Sequence, residues 1–81
     1  NGSFTIRLQS FQRLDDAEIQ TLLNENCDAV ELNRKELSGE MNTLVFSVTI
    51  VNLDALNRLS DQLTYKDPNL EVSIIESKGQ W

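Results

Sequence analysis

Alternation of apolar and polar residues is clearest between Thr43 and Val51, where every even position carries a large hydrophobic side chain. These positions are Leu44, Phe46, Val48 and Ile50. Successive side chains of a strand point to opposite faces, so the pattern predicts a strand with one buried face and one semi-polar face. Such a strand is typical of the centre of a sheet that helices cover on one side only.

Three further segments show the same two-residue period and are predicted to be strands. They run from about Phe4 to Ser10, from Asp28 to Leu37 and from Leu70 to Ile75. The turn Ser38-Gly39-Glu40 separates the second segment from Thr43–Val51, so these two strands are predicted to form a hairpin.

The second predicted strand changes its pattern half-way along. Val30 and Leu32 share one face, whereas Leu37 has the opposite parity, which predicts a bulge near Arg34 and Lys35. The many charges of this segment suit an edge strand, because charged side chains discourage pairing with other chains.

A first helix is predicted from the residues that follow the first strand. Asp15 can accept hydrogen bonds from the free N–H groups of a helix start, and Glu18 completes a capping-box spacing. The apolar face of this helix consists of Ile19, Leu22 and Leu23. The helix is expected to end at residues 24–26, which are weak helix formers.

A second helix is predicted from Leu53 to about Leu63, with Asn52 as its N-cap. Its expected buried stripe has helical spacing and comprises Leu53, Leu56, Leu59 and Leu63. Asp67-Pro68-Asn69 then predicts a turn, because proline cannot continue a helix and favours a bend.

The element order is therefore β-α-β-β-α-β, an α+β arrangement that right-handed crossovers fold into a ferredoxin-like sandwich. We expect a four-stranded antiparallel sheet with the first and third strands central and both helices on one face. Residues 4–76 are predicted to form this domain. Residues 1–3 are interpreted as a cloning remnant or a cut within a longer protein, and residues 77–81 as a polar tail with Trp81.

Composition restricts the chemistry of this 81-residue chain. A net charge of −6 and a pI near 4.4 argue against nucleic acid and anionic lipid as partners. No apolar run approaches the roughly 20 residues needed to cross a bilayer, so direct membrane insertion by this segment is not expected. The chain has no histidine, the usual general base and commonest transition-metal ligand, and its single cysteine, Cys27, allows no internal disulfide. We expect neither a cofactor nor enzymatic activity.

Six carboxylates lie between residues 15 and 31, where there is no Lys or Arg. They are Asp15, Asp16, Glu18, Glu25, Asp28 and Glu31. The simpler interpretation is a solvated helix whose first-turn acids complement the helix dipole. The alternatives are a docking patch or a weak divalent-cation site, although the segment lacks the spacing of a calcium-binding loop.

The sheet face without helices is the other candidate site. An RNA-recognition domain of this topology carries stacking aromatic residues on its central strands, where this chain has Thr, Arg, Gln, Val and Ser. A phosphate-binding hydrolase loop would need a glycine cradle beside Arg13, and residues 10–14 contain no glycine. We therefore predict a protein interface with Arg7 and Glu71 as cross-sheet partners, and its candidate residues are Arg7, Val45, Ser47, Thr49, Glu71 and Ile75.

Two stretches carry a family resemblance, Lys35-Glu36-Leu37-Ser38-Gly39-Glu40-Met41-Asn42-Thr43-Leu44-Val45-Phe46 and Asp67-Pro68-Asn69-Leu70-Glu71-Val72. With the leucine-rich helix between them, they resemble ACT-like domains. They are more closely similar to the C-terminal cytosolic domains of bacterial multipass membrane proteins of the MgtC/SapB type and of a related uncharacterised family. The resemblance implies a regulatory or dimerising domain on the cytoplasmic side of the inner membrane, or in the cytoplasm. Amino-acid-binding ACT domains carry a glycine where the first strand meets the first helix, and residues 10–15 contain none, so no ligand residues are assigned there.

The predicted function is a non-catalytic regulatory or oligomerisation domain of a larger bacterial protein. It would act through contacts of its open sheet face with another copy or with another domain of the same chain. The alternative is a domain that senses a small metabolite or a divalent cation.

Overall fold

Six elements follow one another in the predicted order of strand, helix, strand, strand, helix and strand. They are β1 (Gly2–Ser10), α1 (Asp16–Asn26), β2 (Ala29–Ser38), β3 (Met41–Ile50), α2 (Asp54–Lys66) and β4 (Glu71–Glu76). The structure is a computed structural model that describes residues 2–77, so the expectations for Asn1 and for Trp81 with the three residues before it lie outside the described residues.

The four strands form one antiparallel sheet in the order β2-β3-β1-β4. This order confirms the ferredoxin-like α+β fold with β1 and β3 at the centre. Strand β1 begins two residues before the predicted start, because Gly2 and Ser3 pair with Ile50 and Thr49. At the other end of the chain the N–H of Ser77 donates to the carbonyl of Ser3 at 2.8 Å, so pairing continues past Glu76.

The hydrophobic core lies between one face of the sheet and the two helices. The even positions of β1 and β3 supply its sheet side, and those of β3 are the four residues that the alternation predicts. The buried apolar residues are Phe4, Ile6, Leu8, Ile19, Leu23, Leu44, Phe46, Val48, Ile50, Ala55, Leu59 and Leu63. Phe46 is its largest fully buried side chain and lies in a strand that pairs on both sides.

Helix α1 begins as predicted. The Asp15 carboxylate accepts a hydrogen bond from the N–H of Glu18 at 3.1 Å, which satisfies one of the free donors of the first turn. Ile19 and Leu23 are buried and Leu22 is half-buried, so the predicted apolar face is the face that packs on the sheet.

The buried stripe of helix α2 differs from the predicted one. Leu53 was predicted to belong to the buried stripe, but it lies before the first helical residue and is 65% exposed. The buried stripe instead comprises Ala55, Leu59 and Leu63, with Leu56 half-buried at its side. Four-residue spacing places these side chains one above the other on the same face of the helix.

Both ends of α2 have local causes. The predicted N-cap, Asn52, is one residue too early: the N-cap position is Leu53, which makes no side-chain capping bond. The Asn52 side chain instead accepts from the N–H of Asp54 at 2.9 Å and forms an Asx turn before the helix. The helix continues three residues beyond the predicted end and stops at Lys66. Asp67 then adopts an extended conformation, because the residue before a proline is sterically disfavoured in the helical region.

A bulge in β2 lies close to its predicted position. Leu32 pairs with Phe46 and Arg34 pairs with Val45, so Asn33 is the extra residue. Its side-chain amide donates to the Ser47 hydroxyl on β3. Beyond the bulge the faces are exchanged, so Lys35 and Leu37 point to the helix side and Arg34 and Glu36 to the open side.

The β2–β3 turn depends on Gly39. Ser38 pairs with Met41, which leaves Gly39 and Glu40 as the two turn residues. Gly39 has a φ of 63°, and no other residue in the described range 2–77 has a positive φ. A positive φ at the first of two turn residues is the pattern of a type II′ hairpin turn, whose twist matches that of the flanking strands.

Replacing Gly39 with alanine should lower the free energy of unfolding by about 1–2 kcal/mol, because an L-residue is disfavoured at positive φ. An added Cβ would meet no atom within 4 Å, so the loss is conformational rather than steric. Urea unfolding followed by circular dichroism measures it. Gly39→Asn is the matched control and should lose less, because asparagine tolerates positive φ; equal losses in the two variants would contradict this explanation.

Candidate interaction face on the open side of the sheet

The open face is the side of the sheet that neither helix covers, and its side chains alternate with the core residues. Cross-strand pairing places them in rows that run across β2, β3, β1 and β4 in that order. The Glu31 row consists of Glu31, Ser47, Thr5 and Ile75; the arginine row of Arg34, Val45, Arg7 and Ser73; and the glutamate row of Glu36, Thr43, Gln9 and Glu71.

All six predicted interface residues lie on this face. Val45, Ser47 and Thr49 are half-buried on the central strand β3, and Arg7 is exposed on the neighbouring strand β1. Glu71 and Ile75 are exposed on the edge strand β4, where Ile75 is 57% exposed. The alternation in the sequence therefore identified the correct side of three strands.

The predicted pairing of Arg7 with Glu71 is wrong. Arg7 lies opposite Val45 and Ser73, whereas Glu71 lies opposite Gln9 in the neighbouring row. No salt bridge within 4.0 Å joins Arg7 to an acidic side chain among residues 2–77. Both charges therefore point away from the domain without a partner in this part of the chain.

Short polar side chains on the face bond to one another across the strands. The Gln9 amide donates to the Thr43 hydroxyl at 3.4 Å, and the hydroxyls of Thr5 and Ser77 are 3.2 Å apart. Covering a polar group costs free energy when it loses its hydrogen bond to water. Because several of these groups already have partners within the sheet, another surface can cover them at a reduced cost.

Strand β2 adds three charged residues to this face that were not among those predicted from the sequence. They are Glu31, Arg34 and Glu36. The opposite parity of Leu37 was the signal that could have found the last two, because a bulge before Leu37 turns both side chains to the open side. With Arg7 and Glu71, the three rows carry three carboxylates and two guanidinium groups, a net charge of −1 out of −6 for the whole chain.

The acidic segment is largely engaged in contacts within the domain. Asp16 forms an ion pair with Lys35 at 2.9 Å, and Glu18 forms one with Lys66 at 2.8 Å. Asp15 caps α1, and the Asp28 carboxylate accepts from the N–H of Val51 at 3.0 Å. Among residues 2–77, no three side chains of the metal-binding types His, Cys, Asp and Glu lie together as ligands.

The Asp16–Lys35 pair has an electrostatic consequence. The hydrogen bond from Lys35 and its positive charge hold the pKa of the Asp16 carboxyl below its ordinary value. The pair joins α1 to β2 beyond the bulge, because the bulge is what turns Lys35 toward the helices.

Cys27 is half-buried at the end of α1. Burial and the neighbouring Asp28 carboxylate raise the pKa of its thiol, so the protonated form dominates at neutral pH. A thiol in this state is a poor nucleophile, and the Cys27 side chain packs against the core as a small hydrophobic residue. Arg13 is exposed in the β1–α1 loop.

No helix within residues 2–77 is long and apolar enough to cross a membrane.

No protein-family model matches the chain, and no curated protein sequence is similar to it. Solved structures share the fold. A de novo designed protein, Foldit4, is 13% identical with a TM-score of 0.66 over 96% of this chain and 97% of its own. A homoserine dehydrogenase from Thiobacillus denitrificans is 14% identical with a TM-score of 0.67, and CutA from Synechococcus elongatus PCC7942, complexed with Bis-Tris, is 12% identical with a TM-score of 0.53.

The matches cover 95% of this chain in both natural proteins, but only 17% of the homoserine dehydrogenase and 82% of CutA. In the dehydrogenase the fold is thus a small part of a much longer polypeptide. Identities this low establish the fold that the chain shares with these proteins and no common activity.

Replacing Lys35 with methionine should raise the pKa of Asp16 toward its ordinary value, because the hydrogen bond and charge that lower it are removed. The pKa of Asp16 is lower in the folded chain than in the unfolded chain, so the pair stabilises the fold at neutral pH. This contribution is lost as the pH falls through the folded pKa. The stability difference between wild type and Lys35→Met should therefore disappear in acid.

An NMR titration of the Asp16 carboxyl measures the first effect, and thermal unfolding at neutral and acid pH measures the second. Lys66→Met is the matched control, because it removes the Glu18 pair and leaves Lys35 in place. An Asp16 titration that is the same in wild type and Lys35→Met would contradict the assignment.

Proposed function

We propose that this chain is a non-catalytic domain that regulates or oligomerises a larger protein through contacts of its open sheet face. The observation that carries the proposal is the uncovered side of a four-stranded sheet, on which Val45 and Ile75 lie among short, mutually bonded polar side chains. Such a surface combines apolar area with polar groups that already have hydrogen-bond partners within the sheet.

The size of the face limits the area that such contacts can bury. Four strands of six to ten residues, with about 3.4 Å per residue and about 4.8 Å between strands, cover about 550 Å². Two copies would then bury at most about 1,100 Å² in total, near the lower limit for specific protein interfaces. We therefore expect weak, reversible association that becomes effective when the domains are held close together within larger proteins.

Charge supports this face over other surfaces as the site of self-association. The whole chain carries −6, so two copies repel one another over most of their surface. The three rows of the open face carry only −1 of that charge and include both signs. Contact there brings little net charge together and allows opposite charges to meet.

The proposed setting is a bacterial membrane protein in which the domain lies on the cytoplasmic side. The support is the resemblance of residues 35–46 and 67–72 to ACT-like C-terminal domains of MgtC/SapB-type proteins. In the structure these stretches form most of the β2–β3 hairpin and the entry into β4. Sequencing of the surrounding gene tests the setting: coding for several membrane-spanning helices upstream supports it, and an uninterrupted soluble enzyme would contradict it.

Replacing Val45 or Ile75 with lysine should weaken self-association about tenfold or more, because a charge would be buried at the contact. Sedimentation velocity over a concentration series measures this. Tyr65→Lys is the matched control, since Tyr65 is 91% exposed on α2 and its replacement changes the net charge equally. Val45 is half-buried and Ile75 is exposed, so if one lysine variant fails to fold, the other still tests the contact.

Wild type that remains strictly monomeric at millimolar concentration would overturn self-association through this face. If Tyr65→Lys weakened self-association as much as Val45→Lys and Ile75→Lys, the proposal would also be contradicted. Added charge in general, rather than charge on this face, would then control association.

The alternative proposal is a sensor of a small metabolite or a divalent cation. It is favoured by a shallow concavity of about 360 Å³ at one end of the open face. Its lining combines short polar and apolar residues with one charged side chain, Glu31, among the described residues: Ser3, Phe4, Ala29, Val30, Glu31, Ser47, Val48, Thr49 and Ser77. A cation would need further oxygen ligands beyond Glu31, so a small polar metabolite fits this lining better.

A thermal-shift screen tests this alternative, because a ligand of the native state raises the melting temperature by mass action. A ligand at this concavity should raise the melting temperature of wild type by several degrees and that of Glu31→Gln by less. Glu25→Gln removes an exposed carboxylate elsewhere and serves as the control. The alternative fails if metabolites and divalent cations leave the melting temperature unchanged.

A further inference from the structure

We infer that the open face binds the open face of a second copy in one particular register, in which the arginine row of each copy lies over the glutamate row of the other. This inference rests on the proposed function and specifies its geometry. It follows from the positions of five charged residues on the sheet, Glu31, Arg34, Glu36, Arg7 and Glu71.

The charges are banded along the strands. The arginine row has a cation on β2 and another on β1, with Val45 between them. The neighbouring glutamate row has an anion on each edge strand, Glu36 on β2 and Glu71 on β4. Adjacent rows are about 7 Å apart, because side chains on one face of a strand are two residues apart.

A two-fold axis makes these bands complementary. The axis lies between the two sheets, perpendicular to the strands and midway between the arginine row and the glutamate row. Each strand then faces the same strand of the second copy, which runs in the opposite direction. Arg34 then lies over Glu36 of the second copy. Arg7 is displaced sideways by one strand, about 4.8 Å, from the position over Glu71 of the second copy, and its long side chain can span that displacement across the interface. The symmetry repeats both pairs, so the interface contains two kinds of ion pair, each formed twice.

Other registers place fewer opposite charges together. A two-fold axis through the arginine row places Arg34 and Arg7 over the same residues of the second copy. An axis parallel to the strands places each row over the same row of the second copy. An axis between the Glu31 row and the arginine row retains only the pairing of Arg34 with Glu31 and leaves Glu36 and Glu71 without cations. Like charges that meet in an interface are strongly unfavourable, so the register between the arginine and glutamate rows is selected.

The state of the charges within one copy is consistent with this assignment. Arg34 and Glu36 are 3.9 Å apart and both are well exposed, so their mutual contact is weak. Arg7 has no ion pair within residues 2–77. Both arginines can therefore turn to a facing surface without giving up a strong internal contact.

Two charge exchanges with the same net charge test the register. The matched exchange, Arg7→Glu with Glu71→Arg, reverses one predicted pair and preserves attraction at both. The mismatched exchange, Arg7→Glu with Glu36→Arg, makes both contacts repulsive. It brings the carboxylate introduced at position 7 to Glu71 of the other copy, and the guanidinium introduced at position 36 to Arg34. The matched variant should self-associate within about threefold of wild type, and the mismatched variant should be weaker by about 100-fold or more.

Sedimentation velocity measures the association, and thermal unfolding at low concentration confirms that both variants fold. The register would be overturned if the matched and mismatched exchanges weakened self-association equally, or if both variants associated as strongly as wild type. In either case a loss of association in Val45→Lys would leave the proposed function standing. A wild-type chain that is monomeric throughout would instead overturn the proposed function itself.

Discussion

The simultaneous pairing of β3 with β1 and β2 is the constraint on which the remaining structure depends. It places Phe46 and its apolar neighbours in the middle of the sheet, where both helices can cover them. An apolar strand face of this length must be removed from water, and the two crossovers provide the helices on the same side. The opposite side of β3 is left uncovered as a consequence. The core and the candidate interaction face are therefore two sides of one strand.

The bulge at Asn33 decides which charges reach each side. Without the extra residue, Lys35 would point to the open face, and Arg34 and Glu36 would point toward the helices. With it, Lys35 reaches Asp16 on α1, while Arg34 and Glu36 join the open face beside Val45 and Thr43. One irregular residue in an edge strand thus supplies a contact between helix and sheet and the charge bands of the open face. Bulges re-aim side chains in this way because side-chain direction alternates with every residue.

The candidate site could be predicted from sequence only where the pattern was regular. Positions on β1, β3 and β4 follow from simple alternation, and all six predicted residues lie on the open face. Arg34 and Glu36 of β2 were missed because their side depends on where the bulge falls, whereas Glu31 lies before the bulge and follows the simple alternation. The expected Arg7–Glu71 pair failed because alternation fixes the face of a residue but not its neighbour on the next strand. Leu53 was misplaced because leucine spacing alone does not show where a helix begins.

The sequence by itself determined the order of the elements, the β-α-β-β-α-β fold, the cap of α1 and the apolar residues of both central strands. These features follow from local periodicity and from side chains that act on their own backbone. Only the tertiary structure decided the cross-strand register, and with it the rows of charge and the partners of the acidic segment. Register depends on which residues lie opposite one another across strands that are distant in the sequence. No local pattern contains that information.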